Sequence, residues 1–149
     1  MTSTTNPRPP AVSPEELVGA WELMSYVTVG ESGALGEGPL GPDPRGLLLY
    51  SADGRVAVSM MRGDPPPAGR EGPAPRFMGY AGTWRLTGKR VVHEVAVSSH
   101  GYLVGTRQVR QLTLDGPVLT LTGSAGAAGG PPQQRVLIWR RATTAGDRP

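Results

Sequence analysis

Short apolar segments separated by clusters of proline and glycine most restrict the fold of this chain. The sequence holds 22 glycines and 16 prolines among 149 residues, and neither residue suits the interior of a helix. Prolines concentrate at 7–14, 39–44, 65–75 and 131–132, and the segments between them are rich in Val, Leu, Thr, Tyr and Trp, which strands favour. A disordered chain would spread its prolines evenly. This concentration therefore indicates strands separated by turns, in a loop-rich β domain.

Turn signals divide the apolar segments into strands. The pairs Asp53-Gly54, Gly88-Lys89 and Asp115-Gly116 tolerate the positive φ angles of tight hairpin turns. No long helical pattern intervenes, so the fold class is all-β with successive antiparallel hairpins, in an up-and-down barrel or a sandwich. The eight predicted strands cover residues 20–29, 46–51, 55–61, 80–87, 90–98, 106–114, 117–123 and 134–141.

A helix-start signal precedes the first strand. Ser13 is followed by Pro14 at the first helical position and by Glu16 three residues on, which forms a capping box. We expect a short N-terminal helical turn that ends near Val18. A chain of this length forms one domain, predicted over 13–142 with disordered tails at 1–12 and 143–149.

Hairpin register predicts which side chains point inward. Two-residue loops at 88–89 and 115–116, with a longer loop centred on 99–105, place His93 opposite Arg110. Alternation with a period of two then gives one apolar and one polar face. The predicted inward residues of these strands are Tyr80, Trp84, Leu86, Val91, His93, Val95, Val97, Gln108, Arg110, Leu112, Leu119 and Leu121. Those of the 46–61 hairpin are Leu47, Leu49, Val58 and Met60.

Several segments resemble one family. Gly19-Ala20-Trp21 resembles the Gly-x-Trp signature of lipocalins and fatty-acid-binding proteins. With the segments at 41–46, 50–55, 105–110 and 137–141, the chain resembles the bacterial and fungal lipocalin-like domain family over roughly residues 17 to 142.

The resemblance implies a fold and a function. It implies an eight-stranded antiparallel up-and-down barrel that encloses an apolar ligand, with Arg140 or Arg141 packed over Trp21. Some lipocalin-like barrels in natural-product pathways are cofactor-free cyclases. The loop at 62–79 departs from the family pattern because it is unusually rich in proline and glycine, a composition that could not form a helical lid.

Three polar residues lie on the predicted inward face: His93, Gln108 and Arg110. A guanidinium inside an apolar barrel requires an anionic or hydrogen-bonding partner. In the functional interpretation Arg110 and Gln108 receive a carboxylate, enolate or carbonyl oxygen of the ligand. His93 is then kept neutral by Arg110 and serves as a catalytic base or donor. In the structural alternative Arg110 stacks on Trp84 or binds backbone carbonyls, and His93 is a core residue.

The ligand is expected to touch apolar walls around these three residues. The predicted ligand-binding residues are Leu23, Ser25, Leu49, Met60, Tyr80, Trp84, Val95 and Leu121.

Other kinds of site are disfavoured. The sequence contains no cysteine and two histidines without clustered carboxylates, so we expect no metal and no cofactor. His93 and Glu94 are adjacent in a strand and face opposite sides, so they form no dyad. The net charge is +3, yet the arginines are scattered and no apolar run could span a membrane, so neither nucleic acid nor membrane is an expected partner. Residues 1–12 lack the apolar core of a signal peptide, and a cytoplasmic protein is predicted.

These observations leave competing functions. The leading hypothesis is a barrel that binds an apolar small molecule and acts as a cofactor-free cyclase or isomerase on a polyketide-like intermediate, by folding a flexible chain so that reacting carbons meet. The alternative is a non-catalytic carrier or sequestering protein for a hydrophobic ligand. A third hypothesis is an interaction module with a filled core. A monomer or weak dimer is expected in each case.

Overall fold

Eight antiparallel strands close into a barrel in the computed structural model, which describes residues 12–30, 32–63, 77–125 and 133–143. The strands in these ranges are β1 (Gly19–Val29), β2 (Leu35–Glu37), β3 (Pro44–Tyr50), β4 (Arg55–Arg62), β5 (Phe77–Thr87), β6 (Arg90–Ser98), β7 (Arg107–Asp115), β8 (Val118–Ala125) and β9 (Gln133–Arg141). From β3 onward each strand pairs with the next, and β1 pairs with both β3 and β9. The predicted all-β, eight-stranded antiparallel barrel is confirmed.

The short strand β2 was not predicted. It pairs with the far end of β1, where Val29 lies opposite Leu35, and all three of its residues are exposed. Three residues are too few for an alternating apolar pattern to identify. The predicted tails fall almost entirely outside the described residues, and so does most of the 62–79 loop.

The predicted helical turn is present as α1 (Pro14–Leu17). The backbone N–H of Ser13 donates to a carboxylate oxygen of Glu16 at 3.2 Å, which is half of a capping box. A 3-10 turn (Gly101–Leu103) follows β6. Neither helical segment in the described part of the chain has the length or apolar character that a bilayer-spanning helix requires.

One end of the barrel is closed by Trp21. Its side chain is fully buried, and its indole N–H donates to the carbonyl oxygen of Leu17 at 3.0 Å. The Arg141 guanidinium lies over the ring, with its carbon 4.2 Å from the ring centroid. Of the two arginines that the resemblance offered for this position, Arg141 takes it, and Arg140 is exposed on the other face of β9.

Arg141 also ties the N-terminal turn to the last strand. It donates to the carbonyl oxygen of Val18 at 3.1 Å and to that of Glu16. A Cβ atom at Gly19 would lie 3.0 Å from a guanidinium nitrogen of Arg141, and the φ of Gly19 is +130°. A glycine therefore fits this position, which is the first residue of the Gly-x-Trp segment.

The predicted inward face of β5–β8 is confirmed except at Val97, which is 61% exposed. The ladder between β5 and β6 shifts register between Ala81 and Gly82, whose partners are Val97 and Val95. The extra residue, Ala96, is a β-bulge that turns the end of β6 by one position. Val95 consequently stays inward and Val97 turns outward.

In the hairpin of β3 and β4, two of the four residues that were predicted to point inward point outward instead. Tyr50 pairs with Val56, so the turn contains an odd number of residues instead of the two at 53–54. A shift of one residue moves every side chain of a strand to the other face, and Leu47 and Leu49 are accordingly 50% and 48% exposed. The buried side chains of the hairpin are Pro44, Leu48, Tyr50, Val56, Val58 and Met60.

A bulge in β1 corrects the prediction for Ser25. The register between β1 and β9 shifts between Leu23 and Ser25, and the intervening Met24 is exposed. Leu23 stays in the core, whereas Ser25 pairs with Ile138 on the outward side. Alternation resumes with Tyr26 pointing inward, so Tyr26 occupies the wall that Ser25 was expected to line.

The ladder between β6 and β7 is offset from the prediction by two residues. His93 lies opposite Gln108, and Arg110 lies opposite Val91. The predicted pairing of His93 with Arg110 is therefore wrong, although an even shift keeps both side chains inward.

Candidate functional site

A cavity of about 280 Å³ lies inside the barrel, and neither Trp21 nor Leu17 is among the residues that line it. This volume is close to the lower end of typical small-molecule pockets. Its apolar wall consists of Leu48, Val58, Met60, Met78, Leu103, Leu121 and Leu137. Its polar and aromatic wall consists of Tyr26, Tyr80, His93, Tyr102, Gln108, Arg110, Ser124, Arg135 and Trp139.

The structure brings six of the predicted site residues together in this cavity. They are His93, Gln108, Arg110, Met60, Tyr80 and Leu121. The other five do not line it. Leu23, Trp84 and Val95 are buried elsewhere in the barrel, while Ser25 and Leu49 point outward.

Sequence reasoning missed Arg135 and Trp139 on β9. The inward position of both residues follows from the position of Arg141. Once Arg141 is placed over Trp21, alternation along β9 turns residues 139, 137 and 135 inward. The sequence left the choice between Arg140 and Arg141 open, because the loop at 124–133 interrupts the register between β8 and β9, and without that choice the inward face of β9 could not be assigned.

A buried hydrogen-bonded chain joins Tyr50, His93 and Tyr80. The imidazole of His93 is 2% exposed. Its Nε2 atom lies 2.7 Å from the Tyr50 hydroxyl, and its Nδ1 atom lies 2.6 Å from the Tyr80 hydroxyl. The hairpin register that turned Tyr50 inward is what completes this chain.

All three groups of this chain are neutral at neutral pH. Burial lowers the pKa of His93 to about 3, and the positive charge of Arg110 adds to that effect. Burial raises the pKa of Tyr80 to about 12 and raises that of Tyr50 well above its usual value. His93 was predicted to be kept neutral by Arg110, and Arg110 is the smaller of the two causes.

A neutral imidazole has one N–H donor and one nitrogen acceptor. One tyrosine of the chain must therefore donate to His93, and the other must accept from it. The tyrosine that accepts keeps its own hydroxyl proton available for a further partner.

Arg110 is held by its own strand. It donates to the carbonyl oxygen of Val109 at 3.0 Å and to the side-chain oxygen of Gln108 at 3.0 Å. It does not stack on Trp84, which contacts the Tyr50 ring at a centroid distance of 4.7 Å. Of the structural alternatives predicted for Arg110, the hydrogen bond to a backbone carbonyl is present, and its acceptor is the adjacent residue Val109.

Glu94 lies outside the cavity, as its position next to His93 in the strand predicts. It forms ion pairs with Arg85 and Arg107, each at 3.1 Å. The hydrogen bond from Arg85 is the main cause that lowers the pKa of Glu94. His100 lies in the loop after β6, where its Nδ1 atom is 2.9 Å from the Ser99 hydroxyl.

The sequence profile of a family described as a lipocalin-like domain matches residues 18–142, from the N-terminal turn to the end of β9. No curated protein matches the chain. The match includes the Trp21–Arg141 closure and every residue of the cavity wall, and a barrel of this kind suits a hydrophobic ligand. The chain belongs to the lipocalin-like domain family.

Proposed function

We propose that the protein binds an apolar small molecule carrying a carbonyl oxygen, and that it catalyses a cofactor-free cyclisation or isomerisation of that molecule. The chain of Tyr50, His93 and Tyr80 carries this proposal, because it presents a fixed hydrogen-bond donor at the wall of an apolar cavity. Substrate and product are isomers, so nothing enters or leaves the reaction.

The direction of the hydrogen bonds follows from burial. Tyr80 lines the cavity, whereas Tyr50 is 2% exposed and does not. If Tyr50 accepted a hydrogen bond from His93, its own hydroxyl hydrogen would be buried without an acceptor among the described residues, at a cost of about 1 to 3 kcal/mol. Tyr50 therefore donates to Nε2, and Nδ1–H donates to Tyr80. The hydroxyl proton of Tyr80 is left to point at the ligand.

This arrangement suits stabilisation of a developing negative charge. As a carbon–carbon bond forms or a double bond moves next to a carbonyl, electron density accumulates on the carbonyl oxygen. The Tyr80 hydroxyl, itself polarised by His93, donates to that oxygen, and a preorganised donor of this kind is worth roughly 100- to 1000-fold in rate. Because its pKa is about 12, Tyr80 keeps its proton and acts as a donor.

The apolar wall supplies the remaining part of the mechanism. Leu48, Val58, Met60 and Leu121 surround the ligand without polar groups. Confinement in about 280 Å³ favours compact conformations of a flexible chain, so the reacting carbons meet more often than in water.

A non-catalytic carrier is the second candidate. Two buried donors of the cavity residues, Trp139 Nε1 and Arg135 Nε, have no hydrogen-bond partner among the described residues. An oxygen-bearing ligand satisfies them in its ground state, which favours tight binding whether or not a reaction follows.

Binding is tested with N-phenyl-1-naphthylamine, a neutral apolar dye whose fluorescence rises on burial. We expect the wild-type protein to bind it and Val58→Phe, which fills the cavity, to bind it about tenfold or more weakly. Val97→Phe makes the same substitution on the outer surface and should bind as the wild type does. Absence of dye binding, or equal loss in both variants, would contradict a ligand cavity.

Catalysis is tested on the molecule that co-purifies with the protein from its native host, identified by native mass spectrometry and chromatography. If the protein is a catalyst, the wild-type protein should co-purify with the reaction product. The Tyr80→Phe variant should instead co-purify with the unreacted substrate, an isomer of the same mass but different retention time. Tyr102→Phe, which removes another hydroxyl from the cavity wall, should carry the wild-type product. The same compound in all three proteins would favour the carrier.

A further inference from the structure

We infer that the ligand is an organic acid, and that its carboxylate binds in a slot between β7 and β8, where Arg110 and Arg135 converge. The inference rests on the proposed binding function and adds the substrate class and the orientation of the ligand in the cavity.

The slot is a gap in the barrel wall. Pairing between β7 and β8 runs from Asp115 opposite Val118 to Gln111 opposite Thr122 and then stops. Both strands continue beyond that point, since β7 begins at Arg107 and β8 ends with residue 125. The two strands therefore separate at the start of β7, over 107–110, and at the end of β8, over 123–125.

The separated residues remain paired on their other sides. Arg107 and Arg110 lie opposite Glu94 and Val91 of β6, and Gly123 lies opposite Arg135 of β9. The slot thus lies between two intact ladders. Its side chains Gln108, Arg110 and Ser124 line both the inner cavity and a depression of about 540 Å³ on the outer surface.

Gly123 leaves room for the Arg110 side chain next to β9. A Cβ atom at this position would lie 2.6 Å from Cδ of Arg110 and 2.8 Å from two of its guanidinium nitrogens. The Arg110 side chain therefore crosses β8 directly above Gly123. Gly123 pairs with Arg135, and both arginines line the same cavity, so the Arg110 side chain lies beside the strand position that carries Arg135.

These two positive charges have no anionic partner within the described ranges. Arg110 donates to Val109 and Gln108, and Arg135 donates to the Tyr26 hydroxyl at 3.3 Å. The ion pairs of the described chain involve other arginines, and the cavity wall contains no Asp or Glu. An unpaired, partly buried cation is costly, and a ligand anion removes that cost.

The donors of the site also match a carboxylate. The Nε atom of Arg135 is buried without a partner, and so is Nε1 of Trp139, two inward positions further along β9. A carboxylate only accepts hydrogen bonds, and guanidinium groups bind it with two parallel bonds. A neutral alcohol can accept hydrogen bonds from these donors, but it would neutralise neither charge. The carboxylate is therefore placed at the slot, and the apolar part of the ligand points toward Leu121 and Val58.

The test compares decanoate with 1-decanol as competitors of bound N-phenyl-1-naphthylamine. We expect decanoate to bind at least about tenfold more tightly, as charge-assisted hydrogen bonds predict, and this preference should shrink as salt is added. Arg110→Gln and Arg135→Gln should each reduce the preference severalfold while the dye still binds. Arg140→Gln makes the same charge change on the outer face of β9 and should keep the preference.

Gly123→Ala gives an independent test, because it displaces Arg110 without removing a charge. It should lose the preference for decanoate and retain dye binding and the circular dichroism spectrum of a β-barrel. Equal affinity of decanoate and decanol in a protein that binds the dye would overturn the anion site and leave the proposed function standing. Failure to bind dye, acid and alcohol alike would overturn both.

Discussion

The two ends of the barrel use the same residue types in opposite ways. At the closed end, Arg141 has its partners within the chain, namely the Trp21 ring and two backbone carbonyls. At the cavity, Arg110 and Arg135 carry charges that no carboxylate of the described residues balances. Groups that are satisfied internally stabilise the fold, whereas groups left unsatisfied are available to a ligand, often at the expense of stability.

Two buried tryptophans repeat this contrast. Trp21 and Trp139 are each almost completely buried. The indole N–H of Trp21 donates to Leu17, while that of Trp139 has no partner in the described part of the chain. Unfolding measurements should therefore respond most to the closed end, and ligand measurements to the cavity.

The largest effect is expected for Trp21→Ala. This change removes a fully buried side chain, the surface on which Arg141 packs and one hydrogen bond. We expect the free energy of unfolding in urea to fall by about 3 to 5 kcal/mol. A loss below about 1 kcal/mol would show that this end does not hold the barrel closed.

The second effect depends on pH and belongs to the cavity end. Burial lowers the pKa of folded His93 from 6.5 to about 3, so between these values the unfolded chain binds a proton that the folded chain does not. The free energy of unfolding therefore has its full value, as far as His93 is concerned, above pH 6.5, and it decreases as the pH falls toward 3. From pH 6.5 to about 4.5, wild type should lose about 2 kcal/mol more than His93→Gln.

The control variant is His100→Gln, which removes the other histidine. Its free energy of unfolding should depend on pH as that of the wild type does. The ring nitrogen chemical shifts of His93 offer a measurement that needs no variant, and they should show a neutral ring down to about pH 5. Equal slopes in wild type and His93→Gln would mean that the Tyr50–His93–Tyr80 chain does not keep the histidine neutral.

The two ends also differ in how well the sequence predicts them. Capping residues, turn pairs and the Gly-x-Trp segment are local signals, and they predicted the helical turn, the eight barrel strands and the position of Trp21. Alternation placed His93, Gln108 and Arg110 inward, since the offset of β7 was an even number of residues.

The rest of the cavity depends on single-residue irregularities. The bulge at Met24 turns Tyr26 inward where Ser25 was predicted. The turn between β3 and β4 has an odd number of residues, so Leu48 and Tyr50 point inward where Leu47 and Leu49 were predicted. Bulges and turn lengths are fixed by the packing of both strands, so neither strand's sequence reveals them alone. The tyrosine that completes the His93 chain could therefore not be identified before the hairpin register was known.

A third prediction sharpens the contrast at the closed end. Arg141→Ala removes the contact with Trp21 and two hydrogen bonds to carbonyls, but the side chain is exposed. We expect unfolding to become easier by about 1 to 2 kcal/mol. Arg140→Ala, on the opposite face of the same strand, should stay within about 0.5 kcal/mol of wild type. Similar losses in both would contradict a specific role for Arg141.

The smallest expected effect has the opposite sign. Arg135→Gln removes a charge that has no anionic partner among the described residues, together with a buried Nε that lacks a hydrogen bond. The ligand-free protein should unfold within about 0.5 kcal/mol of wild type or be slightly more stable, because an unpaired, partly buried charge costs free energy in the folded state. Urea unfolding with and without decanoate measures this, and the stabilisation by decanoate should be smaller in the variant. A loss of more than about 1 kcal/mol without ligand would give Arg135 the same structural role as Arg141, and the distinction between the two ends would fail.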